Sequence, residues 1–306
     1  MDTRLEHQEC APLARPIPAG AVGPGTQPAE TDGAALDYLA VPGAMRTYRQ
    51  PLLPEPEDAA ACAAGLATLQ ALHRLLAGHR AGTPPQVLDL ADLPAADRRL
   101  VEDSLGEGEV SILRRAADAS MPLDDGGATD QDAQETRLAG VWRVRGAGRD
   151  VLEVADVSGF VQGDSFAAAV SHVELPDALP AGVMNAPGVL AELLDQVQAR
   201  TGGDRLPAHV INLTLLPQSE QDLAWLGEQL GRGPVSVLSR GYGNCRITAT
   251  GLRGVWWVQY FNADDTLILN TLEITDVPAV ALAAQEDIDD SAERLHEILF
   301  ALTDAA

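Results

Sequence analysis

The chain has 306 residues, 46% of them hydrophobic, and a mean hydropathy of -0.03, enough to bury a large core or two modest ones. It carries 21 basic and 45 acidic residues for a formal charge of -24, and all the basic residues are arginine, so lysine Schiff bases, phosphate-loop lysines and lysine general bases are excluded. An acidic surface repels phosphates and anionic headgroups, which argues against nucleic-acid binding and membrane insertion and favours a basic protein or peptide partner.

Residues 1–54 are rich in Pro, Gly and Ala, and "GPGTQPAETDG" and "QPLLPEPED" predict an extended or disordered arm. The first residues lack the apolar core of a secretory signal, and nowhere does an apolar run reach membrane length. Cys10, Cys62 and Cys245 are scattered and odd in number, so they form neither a disulfide framework nor a paired metal or redox motif; a reducing, cytoplasmic location is expected. No metal site and no cofactor loop is expected. A helix is predicted from about Glu57 to Gly82 on the stripe of Leu66, Leu69, Leu72 and Leu76. "QVLDLADLP" reads as a strand stopped by Pro94, followed by a helix over Ala95 to Leu105 and a strand from "GEVSIL".

These elements recur. "PQVLDLADLPAADRRLVEDSLGEGEVSIL" resembles "AHVINLTLLPQSEQDLAWLGEQLGRGPVSVL", with Val87 on Val210, Pro94 on Pro217 and Val110 on Val235. "LAGVWRV" resembles "LRGVWWV" and "LEVADV" resembles "LEITDV", which places Trp142 on Trp256 and Glu153 on Glu273. The preceding helix recurs in "APGVLAELLDQVQARTGGD". The expected fold is α+β: two tandem, similar halves of helix, strand, helix and three-strand sheet, at 55–180 and 181–306, the second ending in the amphipathic helix "EDIDDSAERLHEILFAL".

One segment breaks the repeat. "SRGYGNCRITATG" in the second half faces "RRAADASMPLDDGGATDQDAQET" in the first, an acidic stretch expected to be low in order. Gly241 and Gly243 suit a backbone with positive φ or a close approach by another chain. From Asn244 the pattern alternates, with Cys245, Ile247 and Ala249 on one face and Arg246, Thr248 and Thr250 on the other, and Arg246 is expected to pair across the sheet with Glu273. Tyr242 and Arg246 are residue types enriched at interface hot spots. The candidate partner-binding residues are therefore Gly241, Tyr242, Gly243, Cys245 and Arg246, with Trp256, Tyr260, Asn270 and Glu273 on the adjoining strands. No nucleophile and base stand at catalytic spacing, so no catalytic residue is assigned and no enzyme activity is expected.

"GYGNCRI", "VWWVQYFNADDTLILNTLEITDVP" and "AQEDIDDSAERLHEIL", with "GPGTQP" and "MRTYRQPLLPEPE" near the N-terminus, resemble the HupH/HyaF family of nickel–iron hydrogenase expression and formation proteins over nearly the whole chain. The resemblance implies a cytoplasmic accessory protein that binds the precursor of the hydrogenase small, iron–sulfur subunit before its twin-arginine export, often beside a thioredoxin-like partner. The alternative is a thiol or redox enzyme acting through Cys245 on a cluster or disulfide, which requires an exposed thiolate with a cationic neighbour.

Overall fold

A computed structural model describes residues 54, 56–115, 129–176, 178–200, 207–240 and 244–303. The N-terminal arm and the glycine turn at 241–243 lie outside the described residues.

The predicted first helix is two: α1 (Pro56–Ala60) and α2 (Ala63–Gly78), parted at Cys62, whose backbone leaves the helical region (φ -110, ψ 61). Then follow β1 (Gln86–Asp89), α3 (Ala95–Leu105) and β2 (Val110–Arg115). The acidic stretch after β2 is a correction. Its last residues form β3 (Thr129–Glu135), so each half has four strands after its second helix where three were expected. The segment "TDQDAQE" offers one apolar residue, and its amides take the place of apolar burial: Gln134 donates to the Gly108 and Val110 carbonyls, and Gln131 accepts from Arg114. β4 (Val141–Gly146), β5 (Arg149–Val154) and α4 (Gly159–Asp164) complete this half. The second contains α5 (Ala186–Arg200), β6 (His209–Asn212), α6 (Glu220–Leu230), β7 (Val235–Ser239), β8 (Asn244–Ala249), β9 (Val255–Phe261), β10 (Leu267–Ile274) and α7 (Gln285–Thr303).

All ten strands form one antiparallel sheet in the order β1-β5-β4-β3-β2-β7-β8-β9-β10-β6. Read outward from the central β2/β7 pair, both halves follow the same order, and Ile112 faces Val237 across that pair. One sheet face packs on helices, α2, α3 and α7 in the first half and α5 and α6 in the second. The opposite face carries a single core running through both halves, from Val144 and Trp142 past Ile112 and Val237 to Ile247 and Trp256.

Local details also agree. The Trp142 indole donates to the Ala155 carbonyl at 3.0 Å and that of Trp256 to the Thr275 carbonyl at 3.2 Å, with Glu153 and Glu273 opposite each on the neighbouring strand. Both Thr136 and Thr250 close the turn before their tryptophan through the hydroxyl, and Gly140 and Gly254 supply its left-handed residue (φ 79 and 75). At the third position of α3, Asp97 accepts from the Gly65 N–H in the first turn of α2. Asp222 holds that position in α6, and its carboxylate accepts from the Met184, Asn185 and Ala186 N–H groups and from Ser219 through both N–H and hydroxyl. The helix that opens each half is thus tied to the second by one buried carboxylate.

The C-terminal helix crosses over. α7 packs against α1 and α2, so Ile288, Leu295 and Leu299 fill the first half's core. In the second half the connection between α4 and α5 contributes Val173 and Val183 to the core and leaves Leu175, Leu179 and Met184 exposed.

Burial alone would raise the Asp222 pKa, but the hydrogen bonds from Ala186, Ser219 and Met184 outweigh it and hold the group well below the usual carboxylate range. Asp222→Ala should cost about 3 kcal/mol in urea unfolding near neutral pH, against about 1 for Asp97→Ala. The Asp222 contribution is complete above the unfolded value of about 4 and is lost as pH falls through the folded value, so the variant should show a shallower acid limb. Glu135 behaves in the opposite sense. Burial pushes it up to about 7 against the Gly140 N–H, with Glu109 and Asp287 adding to the rise. Its favourable term is complete below the unfolded value and is lost as pH climbs through 7, so Glu135→Gln should be more stable than wild type at pH 8 and similar at pH 4.5.

Candidate functional site

The described residues on either side of 241–243 lie at one end of the second half's sheet. The Arg240 N–H donates to the Glu109 carbonyl, and β8 begins at Asn244, opposite Phe261. The Asn244 side chain donates to Asp265 at 2.8 Å and so ties β8 to the β9–β10 connection. The β6 chain arrives at the same end, where the Thr214 hydroxyl accepts from the Asn270 N–H.

The sheet divides the candidate residues between its faces. Cys245, Tyr260, Trp256 and Glu273 lie on the face away from the helices; Arg246 and Asn270 lie on the helical face, in one row with Gln259. Arg246 therefore cannot pair with Glu273, contrary to expectation. Its guanidinium instead stands 5.3 Å from the centre of the Phe261 ring. Trp256 is a second correction. It is 0% exposed and packs edge-on to Phe166, so it is core and does not touch a partner. Cys245 and Asn270 are also buried, and Tyr260, Glu273 and Arg246 are the half-buried members that reach the surface.

On the face away from the helices, the thiol has lost its acidity. Burial pushes Cys245 up to about 12, the Tyr260 hydroxyl that donates to it acts in the other direction, and nearby Glu273 raises it further. Burial also raises Tyr260 to about 12, with Cys245 and Glu273 adding to the rise, and raises Glu273, whose Thr271 hydrogen bond opposes the shift. A thiol in this setting remains protonated at neutral pH, and the cation nearest in sequence, Arg246, points to the other face. Glu153, the counterpart of Glu273, shows what completes such a site: it accepts from the Ser158 hydroxyl and the Gly159 N–H at the start of α4. Only a short helical turn, Ala279–Ala281, follows β10 where α4 follows β5.

The helical face shows the larger contrast. In the first half Arg143 forms a paired contact with Asp150 at 2.6 and 2.9 Å and reaches Glu102 on α3, while Arg98 also reaches Asp150. In the second half Trp257 stands for Arg143 and Asn270 for Asp150, joined by an indole hydrogen bond of 2.5 Å. Gly227 on α6 takes the place of Glu102, which lets the Trp257 ring pack 3.6 Å from where a Cβ would sit. Where the first half has an ion-paired surface, the second has an aromatic and amide one, next to the exposed Ile268 and Leu215. Gln259, Ile268 and Leu215 were not singled out from sequence, although aligning Trp257 with Arg143 holds the signal for this face. Among the described residues no three His, Cys, Asp or Glu side chains are grouped to hold a metal, and no helix is long and apolar enough to cross a membrane.

Native protein treated with iodoacetamide at pH 8 should alkylate Cys245 at least a hundredfold more slowly than urea-unfolded protein, followed by peptide mass mapping. Comparable rates would show an accessible, ionisable thiol.

Residues 183–302 match the model of the HupH hydrogenase expression protein C-terminal conserved region. Over 292 residues the chain is 47% identical to the hydrogenase expression/formation protein HupQ of Azotobacter chroococcum mcd 1, covering 94% of this chain and 97% of the relative. It is 44% identical to hydrogenase expression/formation protein HupH of Rhodobacter capsulatus (94% and 98% covered) and 36% identical to hydrogenase-1 operon protein HyaF of Escherichia coli K12 (93% and 96% covered). A solved structure of hydrogenase expression protein HupH from Thiobacillus denitrificans matches 37% of this chain and 92% of its own length, with 30% identity and a TM-score of 0.34. With identity of this degree running almost end to end, the chain belongs to the HupH family of hydrogenase expression/formation proteins.

Proposed function

We infer that this protein is a cytoplasmic, non-catalytic accessory protein of nickel–iron hydrogenase maturation, which holds the small-subunit precursor before its twin-arginine export. Its relatives are named for hydrogenase expression and formation, and the reading extends that role to a binding step. The observation that carries it is the exchange of the Arg143–Asp150–Glu102 ion pairs for Trp257, Asn270 and Gly227, on the sheet face that also carries Arg246. Desolvating a network of fixed charges opposes docking, whereas an aromatic and amide surface with one arginine favours it.

In this reading Gly241, Tyr242, Gly243 and Arg246 touch the precursor, Tyr260 and Glu273 border the contact, and Cys245, Trp256 and Asn270 support it from within. A thioredoxin-like protein is the second expected partner. The matched strand order, the two indole contacts and the two helix-tying aspartates support an origin by duplication, with halves at 55–180 and 181–306 and an N-terminal arm before them. The second half then kept the partner face. The redox alternative needs a Cys245 thiolate, and burial beside Ile247 disfavours one.

Tyr242→Ala combined with Arg246→Ala should reduce capture of the small-subunit precursor at least tenfold in a pull-down with purified components and leave the urea midpoint unchanged. Capture should weaken as salt rises if the acidic surface steers it. Undiminished capture by the double variant would remove the turn from the interface. Complete loss of maturation in Cys245→Ser, with capture intact, would favour the redox reading.

A further inference from the structure

On the helical side of the second half, four large apolar side chains stand out in solvent: Leu215 at 80% exposure, Met184 at 75%, Ile268 at 57% and Leu216 at 39%. They form one shoulder. The short helical turn Leu213–Leu215 that follows β6 lies against β10. The Asn185 side chain reaches the Pro217 carbonyl at 2.5 Å, which brings Met184 up to Leu216. Such a cluster is unfavourable on a free surface and marks a contact site.

The first half differs at two of these places and keeps a leucine, Leu93, partly buried against its core where the second has Leu216. Asp92 stands where the second half has Leu215, and Gly148 where it has Ile268. Both halves end in a short edge strand. Each is preceded by proline, but β1 ends at Asp89 with Asp92 just beyond, whereas β6, the opposite edge, ends at Asn212 and runs into the apolar shoulder. Exposed Asp264, Asp265 and Glu220 border that shoulder. A second copy of the chain would bring the same acids and a further charge of -24 to the contact, so self-association is opposed and a cationic partner is favoured.

We propose that the shoulder formed by Leu215, Leu216, Met184 and Ile268 docks a polypeptide segment that is apolar at its centre and carries arginine or lysine on its flank. The apolar centre covers the four side chains beside the β6 edge, and the flanking cations meet Asp264, Asp265 and Glu220. This rests on the reading that the partner is the small-subunit precursor, and it assigns the precursor's basic-then-apolar export signal to this shoulder.

The test is fluorescence anisotropy of a labelled synthetic peptide carrying the small-subunit export signal, titrated with the full chain at low salt. Leu215→Asp restores the residue found in the first half, and Leu215→Asp with Ile268→Thr should weaken binding at least tenfold. Val87→Asp, at the opposite edge of the sheet, should bind like wild type. All three substitutions replace exposed side chains, and unchanged urea midpoints would show that the fold is intact. Equal binding by the double variant and wild type would overturn the shoulder while leaving the partner standing. If wild type does not bind the peptide yet captures the whole precursor, the docking proposal fails and the broader reading survives. A dimer in sedimentation velocity that Leu215→Asp converts to monomer would assign the surface to a second copy and overturn the proposal.

Discussion

The antiparallel pairing of β2 with β7 is the contact on which the rest of the molecule depends. It places Ile112 opposite Val237 and turns two five-strand arrays into one ten-strand sheet. Burying those two side chains contributes about 1.5–3 kcal/mol each, and the gain extends beyond them. Because strands alternate their side chains, this register sends Val235, Val237, Ile112 and Ala133 to one face, where they fuse into a single core with the tryptophans. A slip by one residue would turn that core toward the helices. The helices are fixed in consequence: the fused core occupies one face, so α2, α3, α5 and α6 cover the other.

Within this frame the halves diverge where their cover differs. α7, though last in the chain, packs on α1 and α2 and seals the first half, while the connection between α4 and α5 adds only Val173 and Val183 to the second half's core. The same inequality appears below the sheet, where α4 satisfies Glu153 and only a short turn follows β10 near Glu273. Charges on the first half's helical face neutralise one another at 2.6–3.3 Å. On the second, Trp257 and Asn270 satisfy each other and leave apolar neighbours in water. A surface closed on itself has little to offer a partner; one that leaves Leu215 and Ile268 uncovered gains from being covered.

Much of the fold was legible in the sequence, because hydrophobic period and turn chemistry agreed. Leu69, Leu72 and Leu76 are buried as their spacing required, and Trp142 and Trp256 occupy matching places in strands. β3 was not legible. Its strand is held by Gln131 and Gln134 amides and carries one alanine inward, so no apolar alternation announces it. The break at Cys62 was hidden for the opposite reason, since alanine-rich sequence on both sides favours helix throughout. At the site, the alternation of "NCRITAT" gave the two faces of β8 correctly, but the register that sets Arg246 beside Gln259 rather than near Glu273 depends on pairing between strands and has no local sign.

Charge completes the picture, because it acts at a distance that packing does not. With 45 acids against 21 arginines, the whole surface attracts cations before any contact forms, so encounter is steered by net charge and discrimination is left to the few places where acids are missing. The strip from Arg246 through Gln259 to Ile268 is one of them. A basic segment drawn to the molecule from any side lowers its energy further only where it can also remove apolar surface from water, and at the Arg246 end of the strip Asp265 already offsets the one cation. A segment basic at one end and apolar beyond therefore gains at the strip only where its apolar part covers Ile268 and Leu215.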